Sequence, residues 1–184
     1  NFAGARTVVQ KDDIDNSGAT SLSDVMRRIP GVQISDNSGS AGSAIALNIG
    51  VRGLAGRYSP RSTVLLDGIP MSVAPYGQPQ LSFAPVSLAN VETVDVVRGG
   101  GAVRFGPQNV GGIINFKTRR VPTTPGITGD ATVRYNSYSE VGHNTQASVF
   151  AGTQLDNGLG LAVLYSGIRG SDWRVGSDEK VNDF

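Results

Sequence analysis

The chain has 184 residues, 25 of them glycine, with 17% charged residues and a formal net charge of +1 at pH 7. Cysteine is absent and histidine occurs once, which excludes a disulfide framework, a thiol nucleophile and a zinc site built on Cys and His. The basic residues are scattered and balanced by acids, so the charge does not point to nucleic acid. No apolar run reaches the roughly 20 residues of a spanning helix.

Residues 7–10 hold a short strand pattern, and Lys11-Asp12-Asp13 and Asn16-Ser17-Gly18 read as turns. Residues 20–29 form the one convincing helix, with Leu22, Val25, Met26 and Ile29 at i, i+3, i+4 and i+7. Ser21 and Asp24 have capping-box spacing, Arg27 and Arg28 suit the negative end of the dipole, and Pro30-Gly31 stops the helix. So short a helix must dock on a sheet to persist.

From Val32 the chain is strands and turns. Residues 32–34, 46–52 and 63–66 read as strands, the glycine-serine stretch 35–43 as a loop, and Asp67-Gly68 as a tight turn. The stretch 70–85 carries four of the nine prolines and is a shaped loop. Residues 91–118 (VETVDVVRGGGAVRFGPQNVGGIINFKT) place six glycines between two β-rich runs, 91–98 and 113–118. No phosphate-cradle pattern is present there, so the glycines read as closely packed backbone.

Beyond Val121 the grammar changes to alternation. Ile127, Gly129, Ala131, Val133 and Tyr135 alternate with Thr128, Asp130, Thr132, Arg134 and Asn136. Residues 145–153 and 159–167 repeat the pattern, with an Asp156-Asn157-Gly158 hairpin between them. Tyr135, Tyr138, Tyr165 and Trp173, near the expected strand ends, suit an interfacial girdle or the rim of a soluble sandwich. Periodicity alone admits both an outer-membrane barrel wall and a soluble antiparallel sheet.

Catalytic constellations are missing. His143 falls in an expected loop (EVGH) with no nucleophile-elbow serine near it, and Asp12, Asp13, Asp67, Glu92 and Asp95 form no obvious pair. No enzyme and no cofactor is expected. Arg52 ends a strand pattern before Gly53, where a guanidinium fork suits a carboxylate, although an ordinary ion pair explains it as well. Gln78, between Tyr76 and Pro79, and Ser40, in the glycine-serine loop, are hydrogen-bonding candidates or plain loop residues.

Four segments in order, 20–32 (TSLSDVMRRIPGV), 48–53 (NIGVRG), 62–70 (STVLLDGIP) and 91–118, resemble the plug domain of TonB-dependent outer-membrane receptors. Segments 74–88 (APYGQPQLSFAPVSL), 98–107 (RGGGAVRFGP) and 165–174 (YSGIRGSDWR) are similar to the ferric citrate branch of that family. The resemblance implies an α+β plug domain, a small mixed sheet with short helices, over residues 1–121. Residues 122–184 then form the first three antiparallel strands of a transmembrane β-barrel of the type with about 22 strands, the plug lying inside its lumen. Both ends look cut, as expected of a piece of a larger receptor.

The resemblance also implies a function: energy-coupled import of a ferric chelate, ferric citrate above others, across the bacterial outer membrane. Iron arrives inside its chelator, so neither a metal site nor a cofactor is expected. The plug contribution to the chelate site falls on Ser40, Arg52 and Gln78, with serine standing at the first where threonine is the family residue. TonB is the implied energy-coupling partner, and a signalling partner is implied through a domain preceding the plug; neither that domain nor a TonB box is visible. A plug beginning in the periplasm makes Asp156-Asn157-Gly158 a periplasmic turn and residues 137–144 and the tail after Ile168 the longer, extracellular connections. The alternatives are a receptor for another anionic ferric siderophore and a secreted ligand-binding β-domain.

Overall fold

The computed structural model describes residues 5–34, 49–51, 62–71, 86–99, 111–138, 142–170, 173–174 and 180–182. The chain divides into two compact units, Asn1–Arg119 and Arg120–Phe184.

In the first unit, β1 (Ala5–Gln10) leads into α1 (Lys11–Asn16), then α2 (Leu22–Arg27), β2 (Val32–Ile34) and β3 (Ile49–Val51). β4 (Ser62–Leu66), β5 (Ile69–Pro70), β6 (Val91–Arg98) and β7 (Gly112–Thr118) follow. Five of these strands form a mixed sheet in the order β1-β6-β7-β4-β5, with β4 parallel to β7 and the other pairs antiparallel. β2 and β3 pair separately. The mixed sheet with short helices is the α+β arrangement expected of this unit.

β6 and β7 sit at the centre and are buried on both faces, which explains their near-continuous apolar runs. Val94, Val96, Ile114 and Phe116 meet Ile14, Leu22, Val25, Met26 and Ile29 of the helical segment in one core. Leu65, Val97 and Ile113 form a smaller cluster. Register places these three on the opposite face of the sheet, since alternate residues of a strand point opposite ways. Each fully buried Val, Ile or Met contributes roughly 1.5–3 kcal/mol. The close pairing of β6 and β7 depends on Gly112, where φ is +143° and an added Cβ would lie 2.4 Å from the Val97 carbonyl oxygen.

α2 has the expected cap. The Asp24 amide donates to Ser21 Oγ at 3.2 Å, while one Asp24 carboxylate oxygen accepts from the amides of Thr20 and Ser21 at 3.0 Å and from the Thr20 hydroxyl at 2.8 Å. Partial burial is the largest single influence on the Asp24 carboxyl and opposes its ionisation. The bonds from Thr20 and Ser21 together outweigh it and hold the pKa below the ordinary value.

α1 corrects the turn reading of Lys11-Asp12-Asp13. Gln10 and Asp13 form a capping box, Lys11 pairs with Asp15 at 2.7 Å, and Asp12 and Asp13 favour the positive end of the helix dipole. With six residues and only Ile14 buried, the helix is too short to show a periodic apolar face.

In the second unit, β8 (Gly126–Tyr138), β9 (Gly142–Gln154) and β10 (Gly160–Gly170) form an antiparallel sheet, and β11 (Trp173–Arg174) pairs with β12 (Lys180–Asn182). Three expectations fail here. His143 lies within β9, opposite Ser137, because the ladder continues to the Tyr138–Gly142 pair. The β8–β9 connection is therefore only residues 139–141, shorter than residues 155–159 between β9 and β10, which reverses the expected loop lengths. Tyr165 stands opposite Val149 in the middle of β10 rather than near a strand end.

The faces of this sheet differ as the alternation predicts. Ile127, Val133, Val149, Leu161, Val163 and Tyr165 share one face by register and are all exposed, Ile127 to 90%. On the other face, residues 121–123 pack against one end of the sheet, at β9 and β10. An added Cβ at Gly152 would lie 2.7 Å from Pro122 Cδ, and one at Gly160 would lie 2.5 Å from Val121 Cγ1. The Gln154 amide, oriented to satisfy both its oxygen and its nitrogen, donates to the carbonyls of Pro122 at 2.6 Å and Thr123 at 2.9 Å.

Gly112→Ala should destabilise the first unit by about 3 kcal/mol through combined backbone strain and steric conflict, seen as faster hydrogen exchange in β6 and β7. Asp24 contributes stability that is fully present above its unfolded pKa of about 4 and is lost as pH falls through its lowered folded value. Exchange protection of α2, corrected for intrinsic rates, should therefore fall with acid below about pH 4 in the wild type and change less in Asp24→Asn.

Candidate functional site

Polar side chains of the first unit gather on the sheet face opposite the helices. Asp95 interrupts the valine run of β6 and is buried beside Val97. From β1, Arg6 clasps it with both ends of the guanidinium fork, Nε to one carboxylate oxygen at 2.8 Å and Nη2 to the other at 2.7 Å. Lys117 on β7 lies 3.8 Å from the same carboxylate. The bond to Asp95, reinforced by its charge, raises the Arg6 pKa above the ordinary arginine value. This ion pair ties the edge strand to the centre of the sheet. β1 otherwise packs weakly, with Val9 its contribution to the main core.

Arg98, at the end of β6, donates to the Pro30 carbonyl and to Thr7 Oγ1 at 2.5 Å, linking the end of the helical segment to β1. Its Nε is buried without a hydrogen-bond partner. At the other end of the sheet, Asp67 and Gly68 turn with φ of 50° and 85°, the left-handed pair of a type I′ turn. The Asp67 carboxylate accepts from the Thr118 amide at 2.9 Å and hydroxyl at 2.7 Å, and the Asp67 amide donates to Phe116 O at 2.8 Å. The Gly68 amide donates to the Asn115 side chain at 3.0 Å. Asp67 is thus a turn residue, as expected, and also the clamp that holds the exit of β7.

Sequence reasoning named Asp67 and Asp95 but found neither partnership, because each joins residues far apart in the chain. The available signal was a lone acid inside a valine run, which demands a cation across the sheet.

Ser40, Arg52 and Gln78 all lie outside the described residues. The described positions bordering them are defined. Ile34 and Ile49, which flank the segment carrying Ser40, are paired across β2 and β3. Val51, immediately before Arg52, pairs with Val32 and is fully buried. Met71 and Val86, which flank the segment carrying Gln78, are both buried in the main core. Among the described residues, no three His, Asp or Glu side chains converge to hold a metal ion.

The family model for the TonB-dependent receptor plug domain matches residues 1–113. The chain belongs to that family. The solved structure of the ferric citrate transporter FecA, in its unliganded form, is similar at 51% identity and a TM-score of 0.79 over 94% of this chain and 26% of that one. A variant of the Pseudomonas aeruginosa ferric enterobactin receptor PfeA with enterobactin bound shares the fold at 22% identity, with a TM-score of 0.71 over 94% of this chain and 26% of that one. The siderophore receptor PirA from Pseudomonas aeruginosa shares it at 24% identity, with a TM-score of 0.64 over 93% and 30%. This chain therefore spans roughly a quarter of the receptors it matches. The plug sheet followed by antiparallel strands of a barrel wall is the architecture of this TonB-dependent receptor family.

Asp95→Ala should leave Arg6 and Lys117 without their acid and cost about 2 kcal/mol. The loss should appear as selective exchange of the β1 amides, with β4 and β7 little changed; uniform protection across the sheet would contradict the clasp.

Proposed function

We propose that this protein is a TonB-dependent outer-membrane receptor that imports a ferric chelate, and that the chelate is ferric citrate. The observation that carries the reading is the 51% identity with the ferric citrate transporter over 94% of the chain, against 22–24% for siderophore receptors of the same fold. In this reading residues 1–121 are the plug and the strands from 122 onward open the barrel that encloses it in the outer membrane. TonB supplies the energy from the periplasm, and a signalling partner reads the loaded state through a preceding domain. No bond is made or broken, so the protein acts as a transporter and not as an enzyme.

Ferric citrate is an anion rich in carboxylates, with iron as cargo held by the chelator. Arg52 is the residue we assign to its carboxylates, because a guanidinium offers two parallel donors to a planar acceptor. Gln78 and Ser40 add hydrogen bonds that fix orientation. Support for Arg52 and Gln78 comes from the segments that resemble the family, and support for Arg52 also from its place next to the buried Val51. An arginine beginning from a packed strand end costs less to orient than one in the middle of a long loop.

Arg52→Ala in the full-length receptor should weaken ferric citrate binding by about 1.5–3 kcal/mol, the usual range for a hydrogen bond to a charged group. Equilibrium binding in competition with other ferric siderophores checks both parts of the proposal. Preference for ferric citrate, lost in the variant, is the expected result. Unchanged affinity in the variant sinks the residue assignment, and preference for another ferric siderophore transfers the receptor to that chelate.

A further inference from the structure

The exposed face of the second sheet is graded along its length. Register sets Ile127, Thr153 and Leu161 in one row across the three strands, and Tyr135, Thr145 and Arg169 in another eight residues along β8. His143 lies one step beyond, opposite Ser137 on the same face. The Tyr135 and His143 rings are 5.7 Å apart and tilted by 32°. Between the two rows the face is Ala131, Val133, Ala147, Val149, Ala151, Val163 and Tyr165 with Gly129 and Gly167, and no described residue on it carries a carboxylate. Arg169 and His143 are therefore at one end, and the turn at the other end carries Asp156.

We propose that the end of this face bearing Tyr135, His143 and Arg169 docks the phosphate of an anionic lipid headgroup. The inference rests on the reading that this sheet is barrel wall, and three observations select the occupant. Eight residues of strand span about 27 Å, or about 20 Å of height at the usual barrel tilt, close to the apolar band of an outer-membrane barrel. Residues 121–123 of the chain are seated against Gly152 and Gly160 at one end of the opposite face, whereas no described residue covers the apolar one. The polar end then falls at headgroup depth, where a tyrosine can keep its ring in the apolar layer and its hydroxyl in water. There an arginine carries little of the penalty it would meet at the midplane, and its fork fits two phosphate oxygens. His143, held beside Tyr135, adds an imidazole donor to the same headgroup.

The test uses the full-length receptor in mixed micelles of phosphatidylglycerol and phosphatidylethanolamine, with retained lipid measured by native mass spectrometry. The wild type should retain phosphatidylglycerol in preference, and the double variant Arg169→Gln, His143→Gln should lose at least five-fold of it while holding phosphatidylethanolamine unchanged. Arg169→Lys, which keeps the charge without the fork, should fall between them. Ferric citrate affinity should stay at the wild-type value in all three variants, which reports intact folding. Equal retention of phosphatidylglycerol by wild type and double variant overturns the site while leaving the wall reading in place. A wild type that retains neither lipid overturns the wall reading and the site together.

Discussion

A β-sheet with one apolar face persists only when something covers that face. Nearly every feature of this chain follows from how its two sheets meet that demand. In the first unit the cover is internal: Ile14, Leu22, Val25, Met26 and Ile29 close over Val94, Val96, Ile114 and Phe116. In the second unit nothing within the described chain covers Ile127, Val133, Leu161 or Val163. At one end of the other, mostly polar face, Gly152 and Gly160 leave room for Val121 and Pro122. Lipid is the cover we propose for the apolar face.

The central strands of the first unit carry a second constraint. β6 and β7 are buried on both faces, so a polar group on them is costly unless a neighbour answers it. Asp95 is answered by Arg6 and Lys117, and Asn115 by the Gly68 amide. Phe116 O is answered by the Asp67 amide. These contacts fasten the two flanks of the sheet, β1 on one side and the β4–β5 turn on the other, to its centre. The segments proposed to hold the chelate begin and end at positions of the same core, among them Val51, Met71 and Val86. A site on loops gains its precision from rigid elements beneath it.

Much of this was legible in the residues before the fold was seen. The i, i+3, i+4, i+7 spacing from Leu22 to Ile29 marked the docking face of α2, and Ser21 with Asp24 marked its start. Strict alternation marked β8 to β10, and Asp156-Asn157-Gly158 marked the turn between the last two. What stayed hidden has physical reasons. α1 has one buried residue and so no period to detect. The loop reading at His143 failed because Gly142 and His143 look like turn chemistry locally, while ladder pairing with Ser137 and Tyr138 decides the strand. The parallel pairing of β4 with β7 joins residues about fifty positions apart and leaves no local trace. The chelate residues Ser40, Arg52 and Gln78 were accessible only through family resemblance, since no spacing distinguishes them from ordinary loop residues.

The central claim is that the two faces of the second sheet meet different media. This chain has no cysteine, so single-cysteine spin labels can be placed along β8 and β10 of the full-length receptor in lipid bilayers once any cysteine outside it is replaced. Collision rates with oxygen, which partitions into lipid, and with a water-soluble nickel chelate report the surroundings of each label. The account predicts alternation with period two: high oxygen contact at Ile127, Val133, Leu161 and Val163, and low oxygen contact at Thr128, Arg134, Ala162 and Leu164. High contact with the nickel chelate on both faces, without alternation, would contradict it.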